Sequence, residues 1–166
     1  MNNKSPLRYP GGKTRACKKL DEILNEHFDT DKYETLLSSF FGGGSFEFFL
    51  QNKYGYDLIV NDKFQPLYNF WNICKTNNNK LCEKLYKNIG KITKDKFLDM
   101  RDKIMDEENK INQAYMYFVI NRCSFSGATL SGGFSSESST KRFTKSSVDR
   151  IKKLNLTNFN IENKDF

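Results

Sequence analysis

The chain has 166 residues, of which 37% are hydrophobic and 14% aromatic, and its formal net charge is +7. This length fits one domain, or a small core with an appended lobe, and the apolar content excludes a disordered chain. The positive excess favours an anionic partner, such as nucleic acid or a membrane surface. No apolar run approaches the roughly 20 residues that span a bilayer. Because the N-terminus also lacks a signal-peptide core, we expect an intracellular, cytoplasmic protein.

Four cysteines and a single histidine restrict the redox and metal chemistry open to the chain. The spacing of the cysteines matches no disulfide framework and no zinc pattern, so we expect buried thiols in a reducing compartment. Since His27 is the only histidine, chemistry that depends on several imidazoles is disfavoured, and we expect no metal site. We expect His27 to pack near the end of the first helix.

The first sixty residues predict a helix followed by a βαβ unit. Residues 1–12 indicate an ordered loop, and residues 14–28 a helix with one apolar face. The mostly apolar run 34–41 is typical of a buried strand, and residues 57–61 of a second strand. Ser45 is suited to cap the helix between them. This order implies parallel strands joined by a right-handed crossover. The side chains expected to face inward from the two helices are Ala16, Leu20, Ile23, Leu24, His27, Phe46, Phe49 and Leu50.

The rest of the chain predicts helices, a polar loop and a last strand. Residues 64–120 carry apolar and aromatic stripes at helical spacing. Residues 121–144 are polar and rich in Gly and Ser, which indicates a loop or a hairpin. Ser146 and Asp149 resemble a capping pair for a short helix. Residues 157–162 predict a third strand.

Two glycine-containing stretches stand out. Residues 7–13 read Leu-Arg-Tyr-Pro-Gly-Gly-Lys, and residues 40–45 read Phe-Phe-Gly-Gly-Gly-Ser at the end of a predicted strand. Glycines between a strand and a helix let the backbone approach a ligand at the helix N-terminus. The alternative is a tight turn without a ligand. Neither stretch completes a nucleotide motif, because Leu7 stands where a phosphate loop needs glycine and Glu47 where the dinucleotide fingerprint does.

Asp62 directly follows the second predicted strand. A Rossmann-like fold places an acid near this point to bind ribose hydroxyls. The alternative is an Asp that caps a helix or lies in a solvated turn. Together with the glycine run, the position favours a ligand that carries a ribose.

The stretch 121–153 combines polar loop residues with positive charge. Between Ser138 and Leu156 six residues are basic and one is acidic. Basic side chains neutralise phosphates, and aromatic and polar side chains on a loop can reach bases. The stretch therefore favours a DNA contact, with an ordinary solvated basic face as the alternative.

Taken jointly, these stretches resemble the DNA adenine-N6 methyltransferases of the D12 class, which includes bacterial and phage adenine methylases. The resemblance lies in the Tyr-Pro-Gly-Gly-Lys opening, the Phe-x-Gly-Gly-Gly-Ser loop, the Asn61-Asp62 strand end and the stretch 121–144. It implies an α/β fold with a Rossmann-like core that depends on S-adenosylmethionine (SAM) and has an incomplete parallel sheet. That core would comprise residues 1–63 and 155–166, with a helical DNA-recognition region inserted at 64–154.

The resemblance also implies roles for individual residues. The opening and the glycine loop would hold the methionine part and sugar of SAM, and Asp62 the ribose hydroxyls. Asp165 and Phe166 would flank the cofactor adenine. The residues implied in cofactor binding are Tyr9, Pro10, Gly11, Gly12, Lys13, Phe41, Gly42, Gly44, Ser45, Asp62, Asp165 and Phe166. Those implied in contacts with double-stranded DNA are Arg122, Ser124, Phe125, Ser126, Lys141 and Arg142.

The catalytic Asp-Pro-Pro-Tyr motif of this family is absent, since the three prolines stand at positions 6, 10 and 66. Three hypotheses follow. The chain is part of an enzyme whose catalytic motif comes from a second polypeptide, or from a region lost by truncation; it is an inactive SAM- or DNA-binding module; or it is a scaffold within a homo-oligomer or other assembly. An incomplete sheet predicts an exposed apolar edge where the fourth strand should lie, or a partner that covers it.

Overall fold

The computed structural model describes residues 3–165, whose sheet has three parallel strands in the order β1-β2-β3. Strand β1 is Thr35–Ser38, β2 is Asp57–Asn61 and β3 is Phe159–Glu162. In the register Leu37 pairs with Ile59, and Ile59 pairs with Asn160. The predicted βαβ unit and the third parallel strand are therefore confirmed, with ends that differ by a few residues.

Eight α-helices lie among the described residues. Helix α1 precedes the sheet, α2 joins β1 to β2, and the other six stand between β2 and β3. Their bounds are Cys17–His27 (α1), Ser45–Tyr54 (α2), Gln65–Thr76 (α3), Asn78–Asn88 (α4), Lys94–Lys103 (α5), Lys110–Cys123 (α6), Ser136–Lys141 (α7) and Lys145–Lys152 (α8). None of these helices is long and apolar enough to cross a membrane.

Helices α3 and α6 join the sheet to the remaining helices through a single apolar core. The Phe70 and Phe118 rings, one from each helix, stack with centroids 5.7 Å apart. Trp71 lies 4.9 Å from the ring of Phe41 on the sheet side. Burial of such aromatic surface is the main stabilising contribution in a core of this kind. The four cysteines are free and buried, as expected.

Strand β1 is not the buried strand that its apolar run predicts. None of its four residues is buried, and Leu37 is 66% exposed. The reason is its place in the sheet, since among the described residues β1 pairs only with β2. Leu37 is the exposed apolar side chain of this strand, and the exposed apolar edge where a fourth strand would lie stays a prediction.

Helix α1 differs from the prediction in its start and in its buried face. A turn in which the Ala16 N–H donates to the Lys13 carbonyl delays the helix to Cys17. Its buried residues are Cys17 and Asp21, whereas Ile23 and His27 face solvent. The packing predicted for His27 was therefore wrong.

The Asp21 side chain is buried because helix α2 supplies its partners. Its carboxylate accepts hydrogen bonds from Lys53 Nζ at 2.5 Å and from the Tyr54 hydroxyl at 2.7 Å. Burial alone would raise the pKa of Asp21, but these hydrogen bonds outweigh it and lower that pKa. A polar contact thus joins the two helices where the sequence predicted an apolar one.

Two predicted helix caps lie at different residues. Gly44, in a left-handed conformation with φ of 68°, precedes α2, so Ser45 is its first residue and not its cap. Helix α8 is capped by a reciprocal pair formed by Thr144 and Ser147, two residues before the predicted pair. The shift is small because several Ser and Thr residues there can accept from a backbone N–H.

Residues 121–144 contain more helix than the predicted loop or hairpin. Helix α6 continues to Cys123, two single 3-10 turns follow, and α7 begins at Ser136. The hairpin is reduced to one antiparallel bridge between Ser124 and Phe134. Helix α7 was not predicted because its composition is polar. Its Ser side chains satisfy local backbone groups instead of packing in a core, as the cap at Ser135 does.

Candidate functional site

The segment Tyr9–Gly12 forms a tight turn near the end of the N-terminal arm, by which we mean residues 3–13. The Gly12 N–H donates to the Tyr9 carbonyl at 2.9 Å, and Gly11 has φ of +73°. Proline at the second position and a positive φ at the third are features of a type II turn. Pro10 therefore shapes the turn, and Lys13 follows it with its Nζ donating to the Gly11 carbonyl at 2.8 Å.

The glycine loop between β1 and α2 is held by buried polar contacts from two directions. The Gly42 N–H donates to Asp62 Oδ2 at 3.0 Å, and the Gly42 carbonyl accepts from Trp71 Nε1 at 2.9 Å. The second oxygen of the Asp62 carboxylate accepts from the Phe64 N–H at 3.0 Å. Asp62 thereby links the loop to the segment that starts α3. Both polar groups of Gly42 are satisfied by parts of the chain distant in sequence.

Asn61 aligns the carboxyl ends of the three strands beneath this loop. Its carbonyl accepts from the Phe41 N–H at 2.8 Å, and its side-chain amide donates to the carbonyls of Ser39 and Lys164 at 3.3 and 3.0 Å. The Lys164 N–H returns a hydrogen bond to Asn61 Oδ1 at 2.8 Å. One buried side chain therefore fixes the backbone on both sides of β2.

The arm packs directly on the glycine loop. A Cβ placed at Gly43 would lie 2.7 Å from Tyr9 Cβ, and one placed at Gly42 would lie 2.9 Å from the Tyr9 ring. The Thr14 hydroxyl also donates to the Ser45 hydroxyl at 3.0 Å. Glycine is needed here because any side chain would push the two segments apart.

Together the two segments line one cavity of about 450 Å³. Eight of the predicted cofactor residues line it: Tyr9, Gly11, Gly12, Lys13, Phe41, Gly42, Gly44 and Ser45. The sequence reasoning missed five other lining residues, which are Leu20, Gly43, Phe40, Phe46 and Glu47. Phe40 and Gly43 lie within the stretch 40–45 and could have been included on that ground, whereas Leu20, Phe46 and Glu47 depend on how α1 and α2 turn toward the loop.

Glu47 places a carboxylate in the wall of this cavity. The Ser38 hydroxyl donates to Glu47 Oε1 at 2.7 Å. Burial raises the pKa of Glu47, although the hydrogen bonds it accepts and the charge of Lys13 oppose that rise. The cavity lining therefore includes a carboxylate from α2, an ammonium from the arm, and several aromatic rings.

Three of the predicted cofactor residues that the structure describes do not line the cavity. Pro10 lies in the turn, and Asp62 lies behind Gly42. Burial of the Tyr9 side chain raises the pKa of Tyr9, and the nearby charge of Asp62 raises it further. Asp165 forms an exposed ion pair with Lys63 at 2.5 Å. Phe166 lies outside the described residues.

The predicted DNA-contact residues divide into buried and exposed groups. Arg122 is only 7% exposed and Ser124 is fully buried, and the Ser124 hydroxyl accepts from the Thr129 N–H at 3.1 Å. Phe125 is 72% exposed, and Ser126 is exposed with a positive φ of 53°. Lys141 and Arg142 are exposed as well. The exposed residues are available to a ligand, whereas the buried pair fixes the base of the segment.

Asn121 ties this segment to the arm. Its Oδ1 accepts from the Arg8 N–H at 2.9 Å, and its Nδ2 donates to the Arg8 carbonyl at 2.6 Å. Gly127 also packs so closely that a Cβ there would lie 2.6 Å from Arg8 Cβ. The residue before Tyr9 is therefore held by the end of α6.

Replacing Asn121 with alanine is expected to lower the free energy of unfolding by about 2–4 kcal/mol, because two backbone groups of Arg8 lose their partners in a buried site. Denaturant titration measures this change. Asn79→Ala, an exposed asparagine on α4, is the matched control and is expected to change little. Equal stability of the two variants would contradict the role of Asn121 as a clamp on the arm.

Comparison with known proteins identifies the family. A model of the D12 class N6 adenine-specific DNA methyltransferases matches residues 9–166, from the first residue of the turn to the end of the chain. A search of curated proteins found no match. The matched region contains the complete cavity and the segment that follows α6. The chain belongs to the D12 class of N6 adenine-specific DNA methyltransferases.

Proposed function

We propose that the cavity between the arm and the glycine loop binds SAM, and that the chain is the cofactor- and DNA-binding part of a site-specific adenine methyltransferase. The observation that carries this proposal is the shared cavity, because two segments 30 residues apart in sequence line it together. SAM-dependent methyl transfer is the general chemistry of the family to which the chain belongs.

The residues of the cavity fit the charges of SAM. The cofactor has a cationic ammonium and sulfonium and an anionic carboxylate. Glu47 is the acid that would hold the ammonium, and Lys13 the base that would face the carboxylate. Tyr9, Phe40 and Phe46 present aromatic rings, which favour a nearby cation. The glycines leave room that a side chain would fill.

When bound, SAM supplies an electrophilic methyl group for in-line displacement by the adenine amine. The residues of this chain would contribute positioning, which is the larger part of catalysis in such a reaction. Asp62 would fix the loop through the Gly42 N–H, and we propose that it also accepts a ribose hydroxyl. Asp165 and Phe166 are proposed to flank the adenine of the cofactor.

We propose that the segment after α6 contacts DNA through its exposed members, Phe125, Ser126, Lys141 and Arg142. The target adenine must leave the base stack to reach a methyl donor, and an exposed aromatic ring next to polar groups can stabilise the distorted duplex. Arg122 and Ser124 would act through the main chain that they hold. We place the protein inside the cell because its substrate is DNA.

The division into a Rossmann-like core of residues 1–63 and 155–166 and an inserted recognition lobe of residues 64–154 is likewise a proposal. The parallel sheet and its position next to the cavity support the core. The continuous apolar core that α3 and α6 share with the sheet means that the lobe is a functional region and not a separately folding unit.

We propose that the Asp-Pro-Pro-Tyr motif, which residues 1–166 do not contain, is supplied by a segment that adds to the free side of β1, either from a second polypeptide or from a longer form of this chain. The exposed apolar side chain of Leu37 and the unpaired edge of β1 among the described residues support this surface. The alternatives are an inactive SAM- and DNA-binding module, or a scaffold in a homo-oligomer. A cavity whose lining includes both an acid, Glu47, and a base, Lys13, favours a binding role over a scaffold.

The test is transfer of labelled methyl groups to DNA, with and without a polypeptide that carries Asp-Pro-Pro-Tyr. Methyl transfer is expected only for the mixture. Leu37→Lys is expected to reduce that activity at least tenfold and to leave SAM affinity unchanged, because a charge at the edge opposes strand addition. Met105→Lys, on an exposed apolar residue after α5, is the control.

Two results would contradict parts of the proposal. A mixture without activity, although both SAM and DNA bind, would favour the inactive module. Activity that Leu37→Lys and Met105→Lys affect equally would remove the β1 edge as the docking surface.

A further inference from the structure

Four arginines come from the arm, the end of α6, the residue after α7 and the last turn of α8: Arg8, Arg122, Arg142 and Arg150. Arg122 donates from Nε to the Arg142 carbonyl at 2.7 Å and from Nη1 to the Pro6 carbonyl at 3.3 Å. Arg8 Nη1 donates to the Ser124 carbonyl and to the Ser138 hydroxyl, each at 3.2 Å. The partners of these two guanidinium groups are thus neutral oxygens.

Among the described residues, no carboxylate forms an ion pair with this positively charged cluster. Burial, followed by repulsion from Arg150, Arg8 and Arg142, lowers the pKa of Arg122 to about 10. None of the four arginines forms a salt bridge with any acid in residues 3–165. The acid that precedes Arg150, Asp149, instead accepts a hydrogen bond from the Tyr86 hydroxyl at 2.5 Å.

Next to the cluster lies a depression of about 290 Å³ lined by Asn3, Lys4, Arg150, Lys153 and Leu154. Arg150 belongs to both features, because its charge acts on Arg122 and its side chain lines the depression. Three of the five lining residues are cationic. A concave surface that presents three cationic side chains suits a phosphate group, which pairs well with guanidinium.

We propose that the depression bounded by Lys4, Arg150 and Lys153, which shares Arg150 with the arginine cluster, is a phosphate site that binds a backbone phosphate of DNA. The inference rests on the proposed function, since it takes DNA as the substrate, and it adds Lys4, Arg150 and Lys153 to the six residues named as DNA contacts. Phosphate contacts orient a protein on a duplex without reading its sequence. Because Arg8 is adjacent to Tyr9, the site would also join DNA contact to the arm that lines the cofactor cavity.

The test is the affinity for a short DNA duplex, measured by fluorescence anisotropy over a range of salt concentrations. For Arg150→Gln we expect roughly tenfold weaker binding at low salt and a slope of log affinity against log salt smaller by about 0.9, the value for one phosphate contact. Lys152→Gln is the matched control. It removes the same charge from the same helix, but Lys152 lines a different depression, beside the start of α4.

Equal effects of Arg150→Gln and Lys152→Gln on affinity and slope would overturn the site. Thermal unfolding without DNA shows that both variants fold, which we expect because Arg150 and Lys152 are exposed. A second experiment measures the thermal stability of both proteins with inorganic phosphate at constant ionic strength. Stabilisation of the unchanged protein but not of Arg150→Gln, together with unaltered DNA affinity, would assign the site to free phosphate and overturn the DNA proposal.

The outcomes also separate this inference from the proposed function. DNA binding that persists while Arg150→Gln has no specific effect contradicts the phosphate site alone. Absence of DNA binding by the unchanged protein contradicts both the DNA part of the proposed function and the site built on it.

Discussion

Replacing Gly43 with alanine is expected to weaken SAM binding at least tenfold while the protein stays folded. The added methyl group would lie 2.7 Å from Tyr9 Cβ and 3.2 Å from its Cγ, distances at which one side must move. Gly43 does not have a positive φ, so its own backbone accepts alanine. Because Tyr9 is 39% exposed, we expect its side chain to move toward solvent. This movement would widen the cavity between the arm and the loop.

The tenfold estimate follows from ordinary overpacking energies of about 1–3 kcal/mol, since 1.4 kcal/mol corresponds to about a factor of ten in affinity. Isothermal calorimetry with SAM measures the affinity, and circular dichroism verifies the fold. Gly133→Ala is the matched control, because no atom lies within 4 Å of a Cβ there. If both variants bind SAM as the unchanged protein does, the contact between Tyr9 and Gly43 has no part in cofactor binding.

Replacing Asp62 with alanine is expected to weaken SAM binding by about 1–3 kcal/mol, the range for hydrogen bonds to a charged group. The carboxylate accepts from the N–H groups of Gly42 and Phe64, each at 3.0 Å. Its loss frees the glycine loop at the point where the cavity begins. A carboxylate has about four acceptor sites, so two remain for a ribose hydroxyl. Asp57→Ala, an exposed acid at the other end of β2, is the control.

A cofactor analogue without one ribose hydroxyl separates the two roles of Asp62. If the carboxylate holds that hydroxyl, the analogue loses less affinity than SAM when Asp62 is replaced by alanine. If Asp62 only positions the loop, the two ligands lose the same affinity. Unchanged SAM affinity in Asp62→Ala would remove the residue from the cofactor site altogether.

The local motifs could be predicted from the sequence because their causes are local. Pro10 and Gly11 specify the turn by their own backbone preferences, and the glycine run marks the passage from β1 to α2. The apolar segment before Asp62 correctly predicted β2, which is flanked by a strand on each side. The cavity residues found in advance lie within these motifs.

The remaining site residues could not be predicted because they depend on packing between distant elements. Trp71 reaches Gly42 only because α3 crosses behind the loop, and Glu47 enters the cavity wall through the rotation of α2. The burial of Arg122 follows from carbonyl groups 116 and 20 residues away in sequence. The family resemblance, together with the positive charge of the stretch 121–153, predicted a DNA contact at that position.

Calorimetric titration of the unchanged protein with SAM, repeated with Gly43→Ala, tests the central claim most directly. If the arm and the glycine loop close around one cofactor, the unchanged protein binds SAM at a single saturable site, and Gly43→Ala binds at least tenfold more weakly. Absence of saturable binding by a correctly folded, unchanged protein would contradict the claim.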